Sequence, residues 1–214
     1  AAFLASDALI NLGDLVCAPK PLAPKISTML QRYEIANQRT KRMRDDKLYF
    51  YESMIENVVG PSVTVAGKDM LMLASYNYLG LLNRPETNTA MLNSLTKFGT
   101  GVHGVRLLAG TTQEHLLLEA ELAKWHGYPA AAMFNTGYQT NLSVIGALAG
   151  PGDLIIADEF VHASLHDGIR FSGASAQLIH HNSLVELEHR LESAPRGQTL
   201  VIVDAVYSME GDIC

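Results

Sequence analysis

Cysteine is scarce in this chain of 214 residues, which has two, Cys17 and Cys214. Their spacing suits neither a disulfide framework nor a metal site, so a cytoplasmic location, where thiols stay reduced, is predicted. Long apolar runs are also missing, and no segment reaches the length of a membrane span. The apolar start, AAFLASDALINLG, has neither the basic residues nor the cleavage site of a secretory signal peptide.

Positive charge is in deficit, with 16 Lys and Arg against 22 Asp and Glu and a formal net charge of -6. Nucleic acid is therefore not expected as a partner, because binding it calls for a clustered basic face. The HExxH, CxxC, nucleophile-elbow, dinucleotide and P-loop motifs are absent too. The adjacent His180 and His181 would point apart on a strand, so no metal site is predicted.

Composition divides the chain into three parts. Residues 1–45 are predicted to form an N-terminal arm, with a proline-rich linker up to about residue 22 and a polar helix over 26–46. Residues 46–84 are predicted to form a hairpin segment, because SVTVAGKDMLML alternates on both sides of a Gly-Lys turn. Residues 85–214 are predicted to begin a large domain.

In the large domain, helical patterns alternate with short apolar runs, which predicts an α/β fold with a mainly parallel sheet. In such sheets ligands bind beyond the carboxyl ends of the strands, so residues that follow strands are the first candidates for a site. The helices are predicted over 85–98, 113–126, 138–149, 162–171 and 183–193, and the strands over 130–134, 154–157, 176–180 and 200–204.

The segment FNTGY runs from a predicted strand into a helix. Amides at a helix start attract phosphate, and Gly137 would permit close approach. Thr136 would add a hydroxyl donor, and Tyr138 could lay its ring on a cofactor edge. The alternative is a purely structural turn in which Thr136 caps the helix.

Two further segments follow predicted strands. His162, in DEFVHAS, could stack on a flat cofactor ring and move a proton, or it could simply cap or pack. Ser208, in VYSMEGD, could donate a hydrogen bond to a phenolic oxygen, or it could belong to a turn built on residues 210–212.

Two segments lie nearer the N-terminus. Asn77, in SYNYLG, could donate to a substrate carboxylate or carbonyl, or it could stabilise a turn with packed tyrosines. The glycine-rich loop over residues 99–106 could use Arg106 to bind an anion, or it could cross an interface or line a pocket.

The order of these segments resembles the α-oxoamine synthase family of fold-type-I pyridoxal-phosphate (PLP) enzymes, and within it the serine palmitoyltransferases. The resemblance covers about residues 60–214. It implies a three-layer α/β/α sandwich around a mainly parallel mixed sheet. The blocks that carry it are SYNYLG, GTGVHGVRLLAGT, ExELA, FNTGY, DEFVHAS, HHNS and VYSMEGDI.

The resemblance also implies roles for individual residues. It makes His162 the catalytic residue, which stacks on the PLP ring and contacts the substrate carboxylate. It gives the phosphate side of the cofactor to Thr136, Gly137 and Tyr138, the phenolic oxygen to Ser208, and a substrate contact to Asn77.

The activity implied is a decarboxylative condensation of serine, glycine or alanine with an acyl thioester, giving an α-amino ketone. The acyl carrier would be coenzyme A or an acyl carrier protein, and the enzyme would be a homodimer. The family's Schiff-base lysine would lie beyond Cys214, so the chain is expected to be the first part of a longer enzyme. The alternatives are an aminotransferase and a non-catalytic partner subunit.

Overall fold

A computed structural model describes residues 24–214 of the chain, with side chains from residue 29 onward. The linker predicted up to residue 22 lies outside the described residues. The chain divides into two compact units, the first ending at Gly99 and the second beginning at Thr100. The three-part division of the sequence stays a prediction.

The first unit combines two helices with a small antiparallel sheet. Helix α1 (Pro24–Asp45) is almost entirely exposed from residue 29, as the polar pattern predicts. Helix α2 (Pro85–Phe98) has the predicted bounds, with proline in its first turn, where the missing N–H is no loss. The sheet has the order β1-β2-β3 and consists of β1 (Ile55–Val59), β2 (Ser62–Val65) and β3 (Lys68–Leu71).

The predicted hairpin is confirmed by the antiparallel pairing of β2 with β3. The turn lies one residue earlier than the predicted Gly-Lys turn, because Lys68 already pairs with Val65. Its two residues, Ala66 and Gly67, have φ of 50° and 70°. Positive φ at both positions matches the twist of the flanking strands, and glycine adopts it without strain. Strand β1 was missed, because the alternating pattern was recognised only from Ser62 onward.

The second unit alternates helices and strands. Polar residues cap four of its helices, and Thr136 and Ser183 accept backbone N–H groups with their side-chain oxygens. The elements are α3 (Gln113–His126), α4 (Gly137–Leu148), β4 (Leu154–Asp158), α5 (Ala163–Ser172), β5 (Ser175–Ile179), α6 (Leu184–Glu192) and β6 (Thr199–Ile202).

The strands of this unit form a parallel sheet in the order β5-β4-β6. The chain passes from β4 to β5 on one side and then returns to β6 on the other. Because such crossovers are right-handed, α5 and α6 take opposite faces of the sheet. Ile155 and Ile156 of the central strand point to opposite faces and are both fully buried. The predicted α/β fold class is confirmed.

The core of the second unit lies between β4 and the pair α4 and α5. Each fully buried aliphatic side chain contributes about 1.5–3 kcal/mol. At Gly168 an added Cβ would lie 2.8 Å from Ile145 Cδ1, so α5 approaches α4 closely there. The core residues are Ile145, Ala149, Ile155, Ala157, Val161, Leu165, Ile169, Ile202 and Tyr207.

The strand predicted over residues 130–134 is wrong. These residues are irregular, and the N–H of Met133 donates to the Glu119 carboxylate at 2.9 Å instead of to a neighbouring strand. Three consecutive alanines supply the apolar run, but alanine has a low preference for strands. In the part of the chain that the structure describes, no helix has the length and apolar character needed to cross a membrane.

Candidate functional site

The start of α5 meets the end of β6 at the carboxyl edge of the parallel sheet. The backbone N–H of His162, which caps α5, donates to Asp204 Oδ2 at 2.8 Å. Asp204 follows β6 by two residues. The predicted catalytic histidine is therefore fixed where α/β folds bind their ligands.

The imidazole of His162 is anchored through one nitrogen. Its Nδ1 accepts the backbone N–H of Ser164 at 3.2 Å and lies 2.7 Å from Ser164 Oγ. Ser164 is fully buried, and Asn141 Nδ2 of α4 donates to its hydroxyl at 2.9 Å. His162 itself is exposed, so the ring caps the helix and still presents a surface for stacking.

The start of α4 has the character of an anion site. Thr136 Oγ1 accepts the N–H of Gln139 at 3.1 Å, so the predicted cap is present. Within the described part of the chain, the N–H groups of Gly137 and Tyr138 donate to no protein acceptor. A Cβ on Gly137 would meet nothing within 4 Å, so the space beside these donors is open. Such a helix start can hold a phosphate group.

Tyr138 links α4 to α5. Its hydroxyl donates to Asp167 Oδ2, and Arg170 Nη1 donates to the other carboxylate oxygen of Asp167 at 3.0 Å. The hydrogen bond to Asp167, together with burial and the negative charge, raises the pKa of Tyr138. The residue as a whole is 45% exposed, so Tyr138 is not enclosed by its contact with α5.

Ser208 lies in a tight turn after β6. Tyr207 closes this turn from both sides, because its N–H donates to Asp212 O at 2.9 Å and its carbonyl accepts the N–H of Gly211 at 2.8 Å. The alternative prediction that Ser208 belongs to a turn with residues 210–212 is therefore correct for the backbone conformation. Ser208 is exposed at the tip, where its hydroxyl is accessible.

A charged cluster of Asp158, His181 and Asp212 fastens this turn to the sheet. His181 Nδ1 lies 3.1 Å from Asp158 Oδ1, and His181 Nε2 lies 2.9 Å from Asp212 Oδ2. Its ring stacks on Phe160 with a centroid distance of 4.8 Å and meets Tyr207 edge-on at 4.5 Å. The placement of His180 and His181 on a strand is wrong, because β5 ends at Ile179.

The pKa values in this cluster follow from its hydrogen bonds. Burial would raise the pKa of Asp158, but the N–H groups of Asn182 and Phe160 and the His181 ring outweigh it, and the pKa is lowered. Hydrogen bonds to Asp212 and Asp158 raise the pKa of His181. Burial, with the nearby charge of Asp158, raises the pKa of Tyr207 to about 12. The cluster therefore favours a charged histidine between two carboxylates.

Asn77 belongs to the first unit, whereas the other predicted site residues belong to the second. Its side-chain oxygen accepts the N–H of Leu82 at 2.9 Å, as in the turn alternative. It also lines a pocket of about 620 Å³ whose other walls include Val63, Met72 and Tyr76.

Arg106 forms an ion pair inside the second unit. Both of its terminal nitrogens donate to the Glu119 carboxylate, the Nη2 contact being 3.0 Å. The hydrogen bonds from Arg106 and from Met133 N lower the pKa of Glu119 to about 2. The guanidinium thus holds the glycine-rich loop on α3. Because both terminal nitrogens already bind Glu119, fewer donors remain for an external anion.

Sequence reasoning missed the residues that support the site. Ser164 stands two residues after His162 in DEFVHAS, where a lone serine gives no signal of its own. Asn141, on the turn of α4 that follows Tyr138, offers no motif by itself. His181 and Asp212 could have been found from HHNS and EGDI, where polar residues come after β5 and β6, two strands of the same sheet.

The comparisons with known proteins agree with this geometry. A model of the family described as aminotransferase class I and II matches residues 68–214. The 8-amino-7-oxononanoate synthase of Nitrosospira multiformis is 40% identical over 166 residues, which is 78% of this chain and 42% of that protein. The serine palmitoyltransferase of Bacteriovorax stolpii is 38% identical over 178 residues, or 82% of this chain and 42% of that protein. Both relatives are α-oxoamine synthases, so the resemblance read from the sequence is confirmed.

A solved structure extends the likeness to three dimensions. The serine palmitoyltransferase from S. paucimobilis, with a bound PLP–myriocin aldimine, has a TM-score of 0.82 and 35% identity. The match covers 86% of this chain and 47% of that chain. The present chain therefore spans less than half the length of the relatives it matches.

Proposed function

This chain belongs to the family of class I and II aminotransferases, and from that we propose that it is part of a PLP-dependent α-oxoamine synthase. The reaction proposed is the decarboxylative condensation of serine, glycine or alanine with an acyl thioester to give an α-amino ketone. The acyl group would come from coenzyme A or an acyl carrier protein. A cytoplasmic homodimer is part of the same proposal.

The observation that carries the proposal is the exposed imidazole of His162, anchored at the carboxyl edge of the sheet. The helix that contributes Asn141 to this anchor also begins with two available N–H groups at Gly137 and Tyr138. A flat ring beside a phosphate site is the arrangement that PLP requires. The similarity to 8-amino-7-oxononanoate synthase and serine palmitoyltransferase supports the same cofactor for this chain, because the solved serine palmitoyltransferase holds PLP.

The residues present fit PLP. Gly137 and Tyr138 would hold its phosphate with their N–H groups, and Thr136 fixes the helix start that presents them. His162 would cover one face of the ring and contact the carboxylate of the amino acid, while Ser208 would donate to the phenolic oxygen. When bound, PLP supplies an electron sink that makes bonds at the α-carbon of the amino acid labile.

Asn77 completes the proposal on the substrate side. Its amide nitrogen would donate to the substrate carboxylate or carbonyl, because its oxygen already accepts the N–H of Leu82. The side chain is thus held with its donor end available.

The proposal is tested by measuring carbon dioxide release from carboxyl-labelled serine, glycine and alanine with the purified PLP-loaded protein. We expect release that depends on an acyl thioester and matches the free thiol formed. Formation of a keto acid without carbon dioxide would instead identify an aminotransferase. A purified protein that takes up no added PLP, as judged by its absorbance, and shows no reaction would favour the partner-subunit alternative.

Variants of two histidines on α5 sharpen this test. His162→Ala should reduce carbon dioxide release by about 100-fold, the loss expected when a group that positions the substrate is removed. His166→Ala is the matched control, because His166 contacts the Glu159 carbonyl at 3.3 Å one turn further along the helix. Equal losses in the two variants would contradict a special role for His162.

A further inference from the structure

His162 is held, directly or through a neighbour, by groups from α4, from α5 and from the segment after β6. Asp204, after β6, accepts its backbone N–H; Ser164, on α5, contacts its ring; and Asn141, on α4, donates to Ser164. Ser164 has no exposed surface, so the hydroxyl has no water to turn towards. This chain of contacts is more than a helix cap needs, since a cap uses one acceptor.

The contacts determine which ring nitrogen carries the proton. The backbone N–H of Ser164 can only donate, and it points at His162 Nδ1 from 3.2 Å. Nδ1 must therefore offer a lone pair. The Ser164 hydroxyl accepts the amide of Asn141, so its own proton can be directed at Nδ1 across 2.7 Å. In the neutral ring the remaining proton then belongs to Nε2.

We propose that Ser164, oriented by Asn141, fixes His162 as the neutral tautomer with its proton on Nε2. Ser164 and Asn141 are positioning residues, because neither reaches the cofactor or the substrate except through His162. The role of this tautomer rests on the proposed function. An Nε2–H on the exposed side of the ring can donate a hydrogen bond to the carboxylate of the amino acid.

The tautomer can be measured directly by nitrogen-15 NMR of the PLP-loaded protein without substrate. The His162 signals are assigned by comparison with His162→Gln. We expect the unprotonated shift at Nδ1 and the protonated shift at Nε2 at neutral pH. A proton on Nδ1 in the unsubstituted protein would overturn the proposal, and this result requires no variant to fold.

Variants of two buried serines on α5 test the cause. Ser164→Ala removes the hydroxyl but keeps the backbone N–H that points at Nδ1, so both nitrogen shifts should move only part of the way towards the average of the two tautomers. Ser164→Thr, which keeps the hydroxyl, should restore them. Ser172→Ala is the control, because Ser172 is also buried, at 9% exposure, but donates to the Ile169 carbonyl at 2.7 Å. Unchanged His162 shifts in Ser164→Ala would refute the role of the hydroxyl.

Kinetics provide a second readout. Ser164→Ala should raise the KM for the amino acid about tenfold, the loss of one hydrogen bond of roughly 1.4 kcal/mol, and leave the KM for the acyl thioester unchanged. Equal increases in both KM values would overturn the positioning role. The two proposals fail separately: the expected tautomer without carbon dioxide release would refute only the condensation, and the wrong tautomer in an active enzyme would refute only this inference.

Discussion

Replacing Asp158 by Asn should destabilise the second unit severely, although the two side chains have nearly the same shape. Asp158 is 1% exposed and ends β4. Its two carboxylate oxygens accept the N–H of Phe160 at 2.8 Å and of Asn182 at 2.7 Å. They also lie 3.1 and 3.2 Å from His181 Nδ1. Every acceptor position of the carboxylate is therefore used.

An amide in this position can satisfy only part of this set. Its single oxygen would accept one backbone N–H, and its NH₂ group would oppose the other donor. It would also leave the protonated His181 without a buried counter-charge. Breaking a buried pair by removing one charge costs about 3–5 kcal/mol. For a chain of this size, that corresponds to a melting temperature lower by roughly 10 °C.

The assay is thermal unfolding of the PLP-loaded protein at pH 6, with Asp153→Asn as the matched control. Asp153 is partly buried and accepts one backbone N–H, that of Gly150, at 2.8 Å. An amide oxygen can replace that contact, so the control should lose less than about 1 kcal/mol. Similar melting temperatures for the two variants would refute the reasoning about the Asp158 cluster.

Three further changes test other parts of the structure. The raised pKa of His181 means that its stabilising charge is fully present below about pH 6.5 and is lost as pH rises through the folded-state pKa. His181→Gln should therefore flatten the fall in melting temperature on the alkaline side, and an unchanged profile would contradict this. Gly168→Ala should cost about 1–3 kcal/mol in chemical denaturation, because its Cβ would overlap α4, whereas Gly150→Ala enters open space and should be nearly neutral. Thr136→Ala should lower the free energy of unfolding by about 1 kcal/mol, because it removes the cap on α4. Thr140→Ala, in the same helix, should change it little, and equal losses in the two variants would argue against the cap.

Much of the second unit could be predicted from the sequence because its signals are local. Helix α3 has the predicted bounds, with Thr112 before it and Gly127 after it. Strands β4, β5 and β6 lie within one or two residues of their predicted positions, since buried parallel strands form short apolar runs between turns. The run at residues 130–134 satisfied the same rule and failed, because strand formation also needs a partner with available backbone groups.

The candidate site was predictable only in part. His162 could be identified because it follows the apolar run of β4, and position along the chain is enough to locate a strand end. Thr136 could be identified from the helix start alone, since the apolar run before it is not a strand. The sequence did not indicate which distant side chains hold these site residues in place. The contact of Asn141 with Ser164 joins residues 23 apart, and that of His162 with Asp204 joins residues 42 apart. These depend on how helices cross the sheet.

The two polar networks of the second unit have different consequences for the proposed chemistry. The cluster around His181 is tied at both ring nitrogens, so this histidine has no nitrogen left for a substrate. The ring of His162 is tied at Nδ1 only, and its other nitrogen lies on an exposed side chain. A histidine that stabilises a turn benefits from two charged partners, whereas one that acts on a ligand must keep one side available. The pattern of contacts therefore favours His162 over His181 for the proposed chemistry, although both follow strands of the same sheet.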